Sequence, residues 1–222
     1  MTSNILHILA MIFMLIDHVG AVLFPRYLIL RCIGRLAFPI YAFMIVEGFK
    51  HTRNLKKYTL RMFTFAFVSE IPFNLLVSKN IFDPYHQNVL WTFIVALICM
   101  YVISRLKNKA FIPIVVLIGY YLGIVLKTDY KGAGVLMVLT FYLFDAKLLQ
   151  LLWMYVINVL LMKSYVLSVG NFYFEIQALA IFSLLFIWLY NGKKGVKSKW
   201  FQYLCYAFYP LHMAILVIIA MI

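Results

Sequence analysis

Long apolar stretches, each about the length that an α-helix needs to cross a lipid bilayer, follow one another along almost the whole chain. Of the 222 residues, 66% are hydrophobic and only 12% are charged, and the mean hydropathy is +0.96. A chain of this composition cannot bury its apolar surface in water, so lipid must be its solvent. Unbroken apolar runs select helices over a barrel. The sequence therefore predicts an all-α, polytopic transmembrane helical bundle in a single domain over residues 1–222.

Prolines, glycines and charged residues divide these stretches into about nine predicted spans. Pro25, Pro84 and the glycine-containing stretch 192–195 are the clearest breaks. The predicted spans lie near residues 4–24, 28–48, 57–77, 88–105, 110–126, 132–145, 148–167, 174–191 and 201–221. The sixth is the shortest of them.

Basic residues concentrate in every second loop between these spans. Lys and Arg are retained on the cytoplasmic side of a membrane, so this alternation predicts a cytoplasmic amino terminus and an outer carboxyl terminus. The net charge of +13 is spread over short loops and forms no basic arm, which argues against nucleic acid as a partner. The even-numbered loops carry Lys50, Arg53, Lys56, Lys57, Arg61, Arg105, Lys107, Lys109, Lys147, Lys193, Lys194, Lys197 and Lys199.

Polar residues that are costly in hydrocarbon gather at the predicted outer ends of the first four spans. Arg31 and Arg35 are four residues apart and share one helix face. Asp17 and His18 are adjacent, so they point toward different neighbours. We interpret the set as one polar pocket with acid/base capability, and interhelical hydrogen bonding is the alternative explanation for each member. Its members are Asp17, His18, Arg31, Arg35, Glu70, Asn74, Gln87 and Asn88, and His212 in the ninth span is a weaker candidate.

A second polar group follows the predicted second span on the cytoplasmic side. A topological loop and an electrostatic mouth for a phosphate-bearing donor both explain it. The sequence contains no metal-ligand spacing, nucleophile elbow, phosphate loop or dinucleotide fingerprint, so no metal is predicted. The group consists of Glu47, Lys50, His51 and Arg53, followed by Lys56, Lys57 and Arg61.

Several short motifs resemble the TraX family of bacterial membrane proteins, which is named for the F-pilin acetylase of conjugative plasmids. The resemblance is densest in the first hundred residues. Beyond them it is carried by Asp129 and Tyr130 with Gly132 and Gly134, although Lys131 stands where the family has glycine, and then by Tyr209-Pro210-Leu211-His212. The earlier motifs are Leu15 to Gly20, Gly34 to Ile40, Glu47 to Asn54, Ser69 to Phe73, and Gln87-Asn88-Val89 with Thr92.

The resemblance implies an acyltransferase of the bacterial cytoplasmic membrane that takes acetyl from cytoplasmic acetyl-CoA. His18 is then the expected general base, with Asp17 or Glu70 orienting its ring. Glu47, Lys50, His51 and Arg53 are expected to hold the acetyl-CoA phosphates. The residues expected to bind the acceptor or the thioester oxygen are Arg31, Arg35, Asn74, Gln87, Asn88, Asp129, Tyr130 and His212.

Two other classes of protein explain the same polar residues. A transporter or channel would use the charged cluster as a proton or anion pathway, although the chain shows no internal repeat. A non-catalytic assembly or regulatory protein would use it to hold helices together. For the acyltransferase, the acceptor stays open between an amino and a hydroxyl group, on a peptide, a sugar or a lipid head group, and so does the oligomeric state.

Overall fold

The computed structural model describes residues 1–162, 166–169, 172–195 and 198–221 as a helical bundle with one short β-hairpin. A 3-10 turn, Lys109–Phe111, precedes α6, a π-helix, Val156–Leu161, continues α8, and a 3-10 helix, Ile176–Phe182, precedes α9. The other elements are α1 Ser3–Val22, α2 Leu28–Gly34, α3 Ala37–His51, α4 Leu55–Val77, α5 Val89–Arg105, α6 Ile112–Val125, α7 Lys131–Leu143, α8 Lys147–Tyr155, β1 Val166–Val169, β2 Phe172–Glu175, α9 Ser183–Trp188 and α10 Lys199–Met221.

Four helical stretches among the described residues are long and apolar enough to cross a membrane, judged by length and composition. Shorter apolar helices of 10–17 residues occupy the other predicted spans. Apolar side chains also cover the outside of the bundle, as on Leu60, Phe67 and Ile71, which are each more than half exposed. An outer surface of this kind suits contact with lipid. The long stretches are Ser3–Val22, Leu28–His51, Leu55–Val77 and Trp200–Met221.

A β-hairpin separates the predicted seventh and eighth spans. β1 and β2 pair antiparallel, with Val166 opposite Glu175 and Val169 opposite Phe172. Both strands are rich in β-branched and aromatic residues, which favour extended backbone. The sequence did not predict this hairpin. The predicted seventh and eighth spans, 148–167 and 174–191, extend into it, whereas the helices end at Leu161 and resume at Ile176.

Contacts between loops show which ends of the helices lie together. At one end, Ser3 N donates to Lys193 O at 2.9 Å, and Lys50 Nζ lies 3.6 Å from Asp145 Oδ1. At another, Gln87 N donates to Lys127 O at 2.9 Å. Each contact joins loops that the charge pattern assigns to one side of the membrane. The orientation of the bundle, with the amino terminus in the cytoplasm, stays a prediction.

The centre of the bundle is formed by α5 and α7, which are buried over most of their length. Leu97 and Met100 of α5, and Val135 and Met137 of α7, are at most 2% exposed. Asn88 begins α5 as a helix cap, since its side-chain oxygen accepts Leu90 N–H at 3.0 Å. The capped end of α5, the last turns of α1 and the middle of α10 surround the candidate site.

Candidate functional site

Asp17 of α1 forms ion pairs with two arginines of the following helical stretch. Its Oδ2 lies 2.7 Å from Arg31 Nη1 and 2.5 Å from Arg35 Nη2, and its Oδ1 lies 2.6 Å from Arg35 Nη2. Asp17 is 7% exposed. Two guanidinium groups share one carboxylate, so this cluster, which we call the Asp17 triad, keeps one net positive charge.

Gly34 allows α2 to approach Asp17 this closely. A Cβ atom at this position would lie 2.2 Å from both Cβ and Oδ1 of Asp17. Real Cβ atoms do not approach neighbours to that distance, so only glycine fits between the two helices here. The tight α1–α2 packing therefore sets the geometry of the triad.

We expect Gly34→Ala to destabilise the protein by about 1–3 kcal/mol, because the added methyl group overpacks the α1–α2 contact. The comparison variant is Gly48→Ala, whose new methyl group would meet the ring end of the buried Tyr58 and not the backbone of a neighbouring helix, so we expect it to destabilise the protein less. Thermal unfolding of both variants in detergent measures the difference. Equal melting temperatures for Gly34→Ala and wild type would show that the packing is looser than described.

His18, the neighbour of Asp17 on α1, contacts a histidine 194 residues away in the sequence. Its Nδ1 lies 2.6 Å from Nε2 of His212 in α10. The ring centroids are 4.9 Å apart and the ring planes differ by 8°. The centroid separation is close to the nitrogen-to-nitrogen distance plus the two ring radii, so the rings lie end to end in nearly one plane. This is the geometry of a direct hydrogen bond.

The proton positions on both rings follow from the partner of His212. Its Nδ1 lies 2.7 Å from the backbone carbonyl of Phe208, which can only accept, so Nδ1 carries the proton. In the neutral ring Nε2 is then an acceptor, and His18 Nδ1 must donate to it. Neutral His18 therefore keeps an unprotonated Nε2.

A small cavity of about 40 Å³ lies beside this histidine pair. It has room for a few water molecules. Four of the predicted site residues line it, namely Asp17, His18, Asp129 and Tyr130. The other lining residues are Met14, Gly34, Ala37, Phe38, Tyr41, Val89, Phe93 and Tyr209.

Glu70 holds the start of α5 and does not pair with His18 in this structure. Its Oε1 accepts Asn88 Nδ2 and Trp91 Nε1, each at 2.6 Å, and Asn88 N at 3.1 Å. Asn88 Nδ2 also donates to Ala66 O at 2.8 Å. Glu70 and Asn88 therefore join α4 to α5, which is the helix-joining role that was the alternative explanation for the polar residues.

Asn74 and Gln87 support the loop 78–88 that runs from α4 to α5. Asn74 Nδ2 donates to Ile81 O at 3.3 Å, and Gln87 Nε2 donates to Asp83 O at 3.3 Å. Gln87 also pairs as a parallel bridge with Thr128 in the loop before α7. The predicted single pocket is thus divided: the histidine pair and the Asp17 triad lie on one side, and a loop-supporting set on the other.

Asp129 and Tyr130 connect these two groups. Asp129 Oδ1 lies 3.0 Å from His86 Nε2 of the loop 78–88. The ring of Tyr130 stacks on Phe38, with centroids 3.6 Å apart and planes 4° from parallel. Both residues line the cavity, so loop 78–88 is linked to the cavity wall through His86.

Comparisons with known proteins place the chain in a family. Residues 2–220 match the family described as TraX protein. The chain belongs to the TraX family. A relative in Dichelobacter nodosus, called probable fimbrial assembly protein FimC of serogroup H1, is 30% identical over 230 residues, covering 95% of this chain and 92% of that protein. No solved structure matches the chain.

We expect the His86–Asp129 contact to make the loop 78–88 of the TraX-family protein and its contact with residue 129 sensitive to pH. The hydrogen bond to Asp129 raises the pKa of His86 above its ordinary value, against a smaller opposing effect of burial. A raised pKa in the folded state means that the contact stabilises fully below about pH 6.5, the ordinary histidine pKa, and is lost as the pH rises through the folded value. We expect the melting-temperature difference between wild type and His86→Gln to shrink as the pH is raised from 6 to 8.5. A difference that grew with pH would contradict this assignment.

The four residues predicted to bind acetyl-CoA lie together at the other end of α3 in the TraX-family protein. Lys50 lies 3.6 Å from Asp145, and His51 Nδ1 lies 3.7 Å from Glu47 Oε2. Arg53 is exposed, as are Lys56 and Lys57 at the start of α4. The exposed basic side chains form a positively charged surface, about the length of α3, roughly 22 Å, away from the cavity.

Sequence reasoning missed two buried amides that reach the Asp17 triad of this TraX-family protein. Gln177 Oε1 accepts Arg35 Nη1 at 3.4 Å, and Gln177 Nε2 donates to Asn158 Oδ1 at 2.9 Å. Gln177 is 2% exposed and Asn158 is 0% exposed. The sequence could have indicated both residues, since each is an amide inside an apolar stretch, as Asn74 and Asn88 are. His86 was missed because it lies in a predicted loop, where a polar side chain does not have the energetic cost that it would have within the hydrocarbon of the membrane.

Proposed function

We propose that this TraX-family protein is a multi-pass enzyme of the bacterial cytoplasmic membrane that transfers acetyl from cytoplasmic acetyl-CoA to an amino or hydroxyl group near the outer face. One observation carries the proposal: the hydrogen-bonded row of the Phe208 carbonyl, His212 and His18 leaves Nε2 of His18 unprotonated, and His18 lines the cavity. A base with a defined tautomer is what acyl transfer to an amine or hydroxyl requires.

In the proposed reaction the nitrogen or oxygen of the acceptor attacks the thioester carbonyl carbon, and His18 Nε2 takes the proton that this atom loses. A carbon–nitrogen or carbon–oxygen bond forms, the carbon–sulfur bond breaks, and the proton passes from His18 to the leaving thiolate. His212 Nε2 accepts the hydrogen bond from His18 Nδ1–H throughout and stabilises the His18 ring when it is charged. The role of His212 is thus to orient the base.

The Asp17 triad supplies positive potential to this site. Asp17 lines the cavity and is bonded to both arginines, so the net positive charge of the triad lies next to His18. This charge favours the negative oxygen that develops in the transition state. Arg31 and Arg35 act in this proposal through their field, since Asp17 binds Nη1 of Arg31 and Nη2 of Arg35. The phenol of Tyr130, in the cavity wall, is a direct donor candidate.

Acetyl-CoA fits the charge distribution along α3. Exposed Arg53, Lys56 and Lys57 suit its phosphates, and its long pantetheine arm suits the distance of about 22 Å to the cavity. The cavity of about 40 Å³ is too small for the thioester end, so entry of the arm requires the helices around it to separate. Donor binding is therefore coupled to helix movement in this proposal.

The acceptor is proposed to be an amine of a surface-fibre subunit. The support is the name of the relative, a probable fimbrial assembly protein, together with the resemblance to the family of the F-pilin acetylase. Hydroxyl groups of sugars or lipid head groups are the other acceptors of suitable chemistry.

The function is tested with radiolabelled acetyl-CoA and the protein in liposomes. Three conditions are compared: a candidate fimbrial peptide, a sugar, and the lipid without an added acceptor. We expect label to move to one acceptor in a saturable reaction. Proton-coupled flux without an acyl donor would instead favour a transporter. Well-folded protein that neither binds nor turns over acetyl-CoA would favour an assembly role.

A further inference from the structure

Two buried amides lie in irregular helices next to the Asp17 triad. Asn158 belongs to the π-helix Val156–Leu161, and Gln177 belongs to the 3-10 helix Ile176–Phe182. The π-helix is seen in the bond from Met162 N to Ile157 O, which spans five residues at 2.9 Å. π-helical turns are rare and occur often at functional sites.

The hydrogen bonds of these amides run in one direction. Arg35 can only donate, so Gln177 must turn its oxygen toward it and its NH₂ group toward Asn158. Asn158 must then present its oxygen to Gln177, and its Nδ2 donates to Met154 O at 2.8 Å. The cation at one end and the carbonyl at the other therefore determine the orientation of both amides.

We propose, resting on the acyltransferase function above, that Gln177 and Asn158 are positioning residues that hold the Arg35 guanidinium with neutral groups and so preserve the net positive charge of the Asp17 triad. Asp17 binds Nη2 of Arg35, and Gln177 binds Nη1. A carboxylate at the position of Gln177 would hold Arg35 equally well but would cancel the charge. An amide holds the guanidinium without doing so.

The charge has a consequence for the reaction. A neutral triad would not favour the oxygen that becomes negative during transfer, so the turnover number would fall while binding of the neutral thioester group would not. A glutamate at position 177 also loses the bond to Asn158 Oδ1, so a purely structural role predicts a lower melting temperature in Gln177→Glu without a selective fall in kcat. Thermal unfolding and kcat, measured together on Gln177→Glu, therefore separate the two roles.

The experiment compares Gln177→Glu and Gln177→Met with Gln150→Met, measured as kcat and KM for acetyl-CoA in liposomes, with thermal unfolding alongside. Gln150 is a matched control, since it is also a buried amide, which donates to Phe144 O at 2.9 Å and accepts Trp188 Nε1 at 2.8 Å. We expect both Gln177 variants to lose at least about 10-fold in kcat with KM unchanged, and Gln150→Met to keep kcat within about 2-fold. Wild-type kcat in Gln177→Glu would overturn the inference.

A second measurement decides the inference whether or not acetyl transfer is found. Nitrogen-15 arginine NMR follows solvent exchange at the Nη groups of Arg35, identified by their loss in Arg35→Lys. We expect exchange at least about 10-fold faster in Gln177→Met and unchanged in Gln150→Met. Absence of transfer by the wild type would end the acyltransferase proposal alone, whereas unchanged exchange in Gln177→Met would end the positioning role.

Discussion

Replacing His18 with alanine is expected to lower the rate of acetyl transfer by at least about 100-fold, the usual range for loss of a general base. The substitution removes the ring whose Nε2 is left free by the bond from Nδ1 to His212. The substitution also leaves Nε2 of the buried His212 without its donor, so we expect a moderate fall in melting temperature, and rates are compared at equal amounts of folded protein. Initial rates with labelled acetyl-CoA in liposomes measure the effect.

The matched control for this prediction is His7→Ala on the same helix. His7 Nδ1 lies 2.8 Å from Ser3 O, near the opposite end of α1, and its ring contacts Phe201. We expect His7→Ala to keep the wild-type rate. Full transfer by His18→Ala at normal abundance would falsify the assignment of the base.

The same series tests how His212 acts. A glutamine at position 212 offers an oxygen that can accept a hydrogen bond from His18 Nδ1–H, whereas a leucine offers no acceptor. We expect His212→Gln to retain more transfer activity than His212→Leu. Equal activity in the two variants would mean that the bond between the rings does not orient the base.

Asp17→Asn is expected to be the most destabilising single substitution at the site, by about 3–5 kcal/mol, the usual cost of leaving a buried ion pair without one partner. The asparagine matches aspartate in shape but leaves Arg31 and Arg35 without their shared carboxylate. A lower melting temperature in detergent and lower abundance in the membrane measure the cost.

A surface carboxylate provides the control for Asp17. Asp145, whose side chain is 95% exposed, lies 3.6 Å from Lys50, and exposed pairs of this kind contribute little. We expect Asp145→Asn to unfold at the wild-type temperature. Equal stability of Asp17→Asn and Asp145→Asn would show that the triad is not a buried ion pair.

A compensated variant separates stability from function at the triad. Replacing Asp17, Arg31 and Arg35 together by apolar residues of similar volume removes both signs of charge, and such replacements often restore stability. We expect the triple variant to be more stable than Asp17→Asn and still inactive in transfer. Activity in the triple variant would contradict the electrostatic role.

Parts of the site followed from local spacing. Four residues separate Arg31 from Arg35, which places both on one helix face, and adjacency turns Asp17 and His18 toward different neighbours. The structure shows both arrangements: Asp17 meets the arginines of α2 and its C-cap, and His18 meets α10. The partners themselves did not follow, because nothing in a helical repeat says which helix will lie alongside.

Glu70 illustrates the limit of reasoning by residue type. The family resemblance suggested Glu70 as a group that orients His18, but the Glu70 oxygen is bonded to Asn88 and Trp91 at the start of α5. The N–H groups near a helix start and the indole N–H of Trp91 are donors that bind a carboxylate, and the packing of α4 against α5 brings Glu70 to them. Gln177 and Asn158 illustrate the converse, since their importance appears only through Arg35.

Hydrophobic length was enough to predict an all-helical chain with helices long enough to cross a membrane, because it depends on neighbouring residues and on the solvent alone. The orientation drawn from the alternation of loop charge stays a prediction. The motifs were enough to identify the TraX family. The pairing of His18 with His212, the division of the polar residues into two groups and the row of amides behind Arg35 came from packing. Each joins residues far apart in the chain, and which side chains meet is decided by how closely whole helices approach, as Gly34 does for α1 and α2.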